Sequence, residues 1–103
     1  MVELRRYQRA AVDVPVEFAP KGSRERAPAR ATDLSLGGMY VQTGEPLSFG
    51  AELVVYVSFP RQKTPFALPA VVRWVRPGHG MGVQFGLIGA RETHAITELT
   101  KAL

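Results

Sequence analysis

Two sets of side chains in this sequence have the types and spacing to hold a nucleotide. Arg5 and Arg9 stand near the start as R-x-x-x-R, and Asp33, Ser35 and Gly38 follow as D-x-S-x-x-G. A guanidinium is planar and permanently charged, so its donors fit a phosphate or the O6/N7 edge of guanine in pairs. A carboxylate only accepts, and Asp33 can take the N1 and N2 protons of guanine. The Ser35 hydroxyl can donate to a phosphate or a second base, while Gly37 and Gly38 let the backbone turn sharply or approach a ligand closely. A small anionic guanine nucleotide suits both ends. Each motif also has a plainer meaning, a solvated basic start for the first and an Asx or Ser turn closing a hairpin for the second.

The elements that must position these groups read as short strands. From Val12 to Phe18 apolar residues fall at every second position, as a half-buried strand requires, and Pro15 within the run calls for an edge position or a bulge. Further strands are expected over Ala29 to Asp33, Met39 to Thr43, Leu53 to Phe59, Phe66 to Arg76 and Met81 to Phe85. The Ser35 to Gly38 turn joins two of them, and Asp33 and Ser35, alternating at a strand end, are expected to face the same side. Only the tail changes period: Ala95, Ile96, Leu99, Ala102 and Leu103 form one apolar stripe of a helix starting near Arg91. Many short strands with close turn signals argue for a small antiparallel barrel that this helix plugs or flanks.

The two motifs, taken with Val12 to Phe18, Leu53 to Pro60, Ala70 to Arg76 and Met81 to Phe85, resemble the PilZ family of bacterial receptors for cyclic di-GMP. The likeness covers nearly the whole chain. It implies an all-β fold, a six-stranded antiparallel barrel with a C-terminal α-helix, in one domain over residues 1–103. It also implies that residues 1–11 form a flexible arm that closes over bound cyclic di-GMP. The implied contacts are Arg5, Arg9, Asp33, Ser35 and Gly38, with Gly38 permitting the backbone path rather than supplying energy. Arg6, Gly37, Trp74 and Arg76 are weaker candidates; a tryptophan in an alternating strand reads first as core, although an indole or guanidinium plane can stack on a base. Leu4 stands where some relatives carry a further basic residue, which leans towards one ligand molecule per site.

Composition narrows the rest. With 103 residues, 46% hydrophobic and 21% charged, the chain has the make-up of one folded domain with a modest core. No apolar stretch reaches the roughly 20 residues needed to span a bilayer, and no apolar run follows the first arginines as a secretory signal requires. A cytoplasmic location is the resulting expectation. No cysteine is present, so disulfides, thiolate nucleophiles and cysteine-held metals are excluded. The net charge of +4 favours anionic partners. Lys21, Arg24, Arg26 and Arg30, set among Pro20, Gly22, Ser23 and Pro28, read as a solvated hairpin region.

No enzyme, catalytic residue, cofactor or metal site is expected, since His79 and His94 read as surface histidines without metal-binding spacing. Nucleic acid is a rival ligand, because small basic barrels bind single strands through exposed aromatics, but Tyr40, Tyr56, Phe59, Phe66 and Trp74 lie in apolar runs that read as core. The leading expectation is a receptor that captures cyclic di-GMP, orders its arm and signals through a protein partner. The alternative is a PilZ-like adaptor that binds proteins without nucleotide. Partner identity, oligomeric state and the process controlled have no residue in the sequence to select them.

Overall fold

A computed structural model describes residues 10–59 and 64–101 of the chain. Six strands precede one helix: β1 (Ala10–Pro20), β2 (Ala27–Leu34), β3 (Gly38–Gln42), β4 (Glu52–Val57), β5 (Phe66–Arg76), β6 (Gly80–Phe85) and α1 (Ala90–Lys101). They close into a barrel in the order β1-β2-β3-β6-β5-β4, with every neighbouring pair antiparallel. The all-β barrel with a C-terminal helix matches the expected fold.

Alternation supplies the core. Val16 and Phe18 of β1, Ala31 and Leu34 of β2, Met39 and Val41 of β3, and Leu53, Val55 and Val57 of β4 all turn inward and are buried. Phe66, Leu68, Ala70 and Val72 of β5 join them, with Met81, Val83 and Phe85 of β6. The helix brings Ala95 and Ile96 into the same cluster, with Leu99 partly buried against it. It starts after Gly89, one residue earlier than the expected Arg91, and carries Glu92 in its first turn, where a negative charge complements the helix dipole. Ala102 and Leu103 lie outside the described residues.

Closure removes the edge that Pro15 would otherwise have suggested. A bulge is present instead: the β1–β2 register slips between Ala11 and Val14, two residues ahead of the proline. The ladder with β4 begins only at Val16. Ala10 and Ala11, expected in the flexible arm, belong to β1 because they pair with Leu34 and Asp33. The basic hairpin carries cross-strand ion pairs, Lys21 with Glu52 at 3.3 Å, Arg26 with Glu17 at 3.6 Å and Arg30 with Asp13 at 2.5 Å. All are exposed, and such pairs are worth about 0–1 kcal/mol each.

Gly38 starts β3 opposite Gln84 of β6. A Cβ on it would fall inside contact distance of the Val83 carbonyl oxygen, a backbone atom that cannot rotate away. The last residue of the D-x-S-x-x-G motif is therefore required by the approach of two strands. Gly38→Ala should cost about 1–3 kcal/mol, as overpacked sites do, and lower the melting temperature by about 4–8 °C per kcal/mol. Gly44→Ala, where nothing lies within 4 Å, serves as the control and should melt like wild type; thermal denaturation of both variants measures the difference.

Candidate functional site

The site lies on the outer wall of the barrel, and two irregularities in the ladders create it. Between β2 and β3, Ala31 pairs with Val41 and Asp33 with Tyr40, so Thr32 is an extra residue on β2. Strict alternation would turn Asp33 inward with Ala31; the bulge turns it outward while Leu34 returns to the core. The same event occurs between β5 and β6, where Val72 pairs with Val83 and Trp74 with Gly82, leaving Arg73 extra. Val72 stays buried and Trp74 faces out at 43% exposure. The expectation that Trp74 is core therefore fails, because one bulged residue reverses its face. Arg73 pins that bulge, its Nε donating to Gln84 Oε1 at 2.6 Å.

The outcome is a row of residues running across four strands: Asp33 pairs with Tyr40, Tyr40 with Gly82 and Gly82 with Trp74. Two residues along, Gln42, Gly80 and Arg76 form a second row. The strand rise sets the rows about 7 Å apart. The glycines of β6 leave room for the aromatic rings of the flanking strands. A Cβ on Gly82 would collide with the Trp74 indole and one on Gly80 with the Tyr40 hydroxyl. The two rings stack with centroids 5.2 Å apart and planes 25° from parallel. Offset stacking of this kind adds about 0.5–1.5 kcal/mol beyond area burial.

Thr32, Asp33, Tyr40, Gln42, Trp74, Arg76 and His79 line a concavity of about 460 Å³ over these rows. That volume falls in the range of about 300–1,000 Å³ typical of small-molecule sites. The wall offers one acceptor-only group, Asp33, and donors in Arg76, Gln42, Tyr40 and His79. A larger concavity of about 580 Å³ lies between β1, β2 and β4, lined by Pro15, Pro28, Tyr56 and Pro65 among others. Its charged side chains are already matched, Glu17 with Arg26 and Arg30 with Asp13. The smaller groove carries the acid, the donors and the outward aromatics, and it is the candidate site.

The sequence-derived candidates fall into three groups. Asp33, Trp74 and Arg76 meet in the groove. Ser35, Gly37 and Gly38 form the β2–β3 turn beside it and are not among its lining residues. Strand β2 stops at Leu34, so the alternation that would have set Ser35 beside Asp33 does not reach it. Ser35 is 7% exposed; its Oγ accepts from the Gly37 amide at 3.1 Å, and its own amide donates to the Gly38 carbonyl at 2.9 Å. The Gly37 carbonyl in turn accepts from the Phe85 amide of β6 at 2.9 Å, tying the turn to the barrel. Arg5, Arg6 and Arg9 lie outside the described residues. The sequence reading missed Tyr40, Gln42 and His79, and only a two-residue alternation of outward β3 positions around buried Met39 and Val41 pointed to the first two.

Among the described residues, no group of three or more His, Asp or Glu side chains is placed to hold a metal ion. No described helix is long and apolar enough to cross a membrane.

Comparison with known proteins places this geometry in a family. No curated protein matches the chain by sequence. Solved structures do match in fold. The Bacillus subtilis inhibitor of motility MotI/DgrA superposes with a TM-score of 0.78 at 22% identity, covering 98% of this chain and 51% of that protein, so this chain spans about half its length. The PilZ domain of Escherichia coli YcgR with c-di-GMP gives 0.75 at 20% identity, covering 98% of this chain and 92% of the domain. The Borreliella burgdorferi PlzA protein in complex with c-di-GMP gives 0.74 at 15% identity, covering 95% and 41% respectively. At such identities the likeness concerns the fold. A profile of the PilZ domain also matches residues 3–102, and with the closed six-stranded barrel and its terminal helix this establishes that the chain belongs to the PilZ domain family.

Proposed function

We propose that this protein is a receptor for cyclic di-GMP that clamps the nucleotide between its leading arginines and the Asp33 groove, and signals through a protein partner. The observation that carries the reading is where the chain enters the barrel. Ala10 pairs with Leu34 and Ala11 with Asp33, so β1 starts at the residue following Arg9 and its second residue lies opposite the motif aspartate. Arg9 adjoins that pair in sequence, and Arg5 is five residues from Ala10. An extended chain covers at most about 3.3–3.6 Å per residue, which gives both guanidinium groups ample reach to a ligand lying in the groove.

In this reading Asp33 accepts from the N1 and N2 protons of one guanine, and Arg5 and Arg9 take phosphate and the O6/N7 edge from the opposite side. Trp74, backed by Tyr40, gives a base an exposed apolar face. Ser35 contributes through the turn: its hydroxyl oxygen accepts from Gly37, leaving its proton to donate towards a phosphate. Arg6 adds positive charge beside the pair. Residues 1–9 close over the ligand, and the altered surface at the mouth of the groove is what a protein partner reads. The solved complexes of YcgR and PlzA with c-di-GMP support the ligand choice by kinship. The cytoplasm, where such a messenger acts, is the compartment this role requires.

Each lost charge-assisted contact should cost about 1.5–3 kcal/mol, or about ten- to a hundredfold in affinity. Arg5→Ala, Arg9→Ala and Asp33→Ala should each weaken cyclic di-GMP binding by that factor in calorimetric titration, while circular dichroism stays that of wild type. Unchanged affinity in all three variants refutes the site, and a wild type that ignores cyclic di-GMP while binding a protein partner favours the nucleotide-free adaptor.

Trp74 is the only tryptophan, so emission excited at the red edge of the indole band, where tyrosine does not absorb, reports on the groove. A concentration of cyclic di-GMP that just saturates wild type should quench and shift its emission, and should do so clearly less in Asp33→Ala, which binds about ten- to a hundredfold more weakly. An emission spectrum indifferent to bound ligand would remove the indole from the site.

A further inference from the structure

We propose that the Arg76 and His79 end of the groove receives a phosphate of the nucleotide, giving the site a fixed polarity with the base edge at Asp33 and the anion at the opposite corner; this rests on the guanine-nucleotide reading above. Asp33 lies in the first row, on β2, at one side of the groove. Arg76 lies in the second row, on β5, three strand pairings away and about 7 Å further along the strands. His79 follows in the connection to β6 and lines the same wall. Acceptor and donors thus stand at diagonal corners, with the Tyr40 and Trp74 rings between them.

The donor corner is rigidly built. Arg76, Pro77, Gly78 and His79 form a type II turn: the His79 amide donates to the Arg76 carbonyl at 2.9 Å, proline occupies the second position, and Gly78 takes the positive φ of 75° that the third position demands. A second bond anchors the turn to the barrel, from the Thr43 amide to the His79 carbonyl at 2.9 Å. Thr43 is itself held, its Oγ1 accepting from the Glu45 amide at 3.2 Å. Both side chains therefore project from backbone whose position is fixed before a ligand arrives, which reduces the ordering cost of binding.

Neither side chain is engaged in an ion pair with another described residue; the ion pairs there engage Lys21, Arg26, Arg30 and His94. Arg73, the other arginine on β5, is held by Gln84 and is absent from the groove lining. Arg76 offers a planar fork of donors and His79 an N–H in either tautomer, a combination that suits a phosphate's oxygens. A nucleotide with its base edge at Asp33 and its ring against Trp74 would carry its phosphate towards this corner.

Calorimetric titration of cyclic di-GMP at about 50 and 500 mM NaCl tests the assignment with Arg76→Gln, His79→Gln, Arg24→Gln and Asp33→Ala beside wild type. Arg76→Gln should weaken binding by about tenfold at low salt and by clearly less at high salt, because ionic screening already removes part of a Coulombic contact. His79→Gln should weaken it by about threefold or more, and Arg24→Gln, an exposed position that lines neither concavity, should match wild type at both salts. Melting temperatures should stay unchanged in all three. If wild type binds and Asp33→Ala binds more weakly, while Arg76→Gln and His79→Gln keep wild-type affinity, the phosphate corner is wrong and the receptor reading stands. An equal loss at both salts also overturns it, since that marks a neutral or packing contact. A wild type that fails to bind at either salt overturns both readings.

Discussion

The site depends on two single-residue bulges. A strand in a closed barrel has one face committed to the core, and a one-residue change of phase exchanges the faces of everything beyond it. Thr32 supplies that change on β2 and Arg73 on β5. Without the first, Asp33 would share the inward face of Ala31, and carrying a carboxylate into the apolar core would be costly. Without the second, the Trp74 indole would compete for space with Val72, Leu68 and Met81, all fully buried. The bulges keep the core continuous, through Leu34 on one strand and Val72 on the other, while delivering an acid and an aromatic plane to one outer row.

The groove between them is shaped by what β6 lacks. Gly80 and Gly82 face outward in the strand that separates β3 from β5, and the rings of Tyr40 and Trp74 occupy the space their side chains would fill. Aromatic cover of strand glycines is a stabilising device in its own right. The same arrangement leaves an indole lying across the sheet with a face towards solvent, supported from beside by tyrosine. The contact that covers the glycines thus also holds an aromatic surface in place at the candidate site.

Much of the fold was legible because alternation in Val12 to Phe18 and the β-branched runs of Leu53 to Phe59 and Phe66 to Arg76 are direct statements of which face is buried. The helix was legible from the spacing of Ala95, Ile96 and Leu99. Asp33 was found through its motif, yet the reason it faces outward was not, since no residue type marks Thr32 or Arg73 as supernumerary; a bulge is a relation between two strands. The same blindness placed Trp74 in the core and hid Tyr40, Gln42 and His79, whose meeting depends on β3, β6 and β5 lying side by side in that order. Ser35 shows the reverse case. Its spacing from Asp33 implied a shared face, but the strand ends at Leu34 and the hydroxyl closes the turn. The family itself was readable because motif order and flanking strands together are more specific than either motif alone.

The central claim is that the outer row from Asp33 to Trp74 is the ligand face of this barrel. Amide and indole NMR spectra recorded during a titration with cyclic di-GMP test it most directly. The account predicts shifts concentrated on Thr32 to Gly38, Tyr40, Gln42, His79 and the Trp74 indole N–H, with the wall around Val16, Ala29 and Tyr56 unmoved. Shifts centred on that second wall, or a spectrum indifferent to the nucleotide, would contradict it.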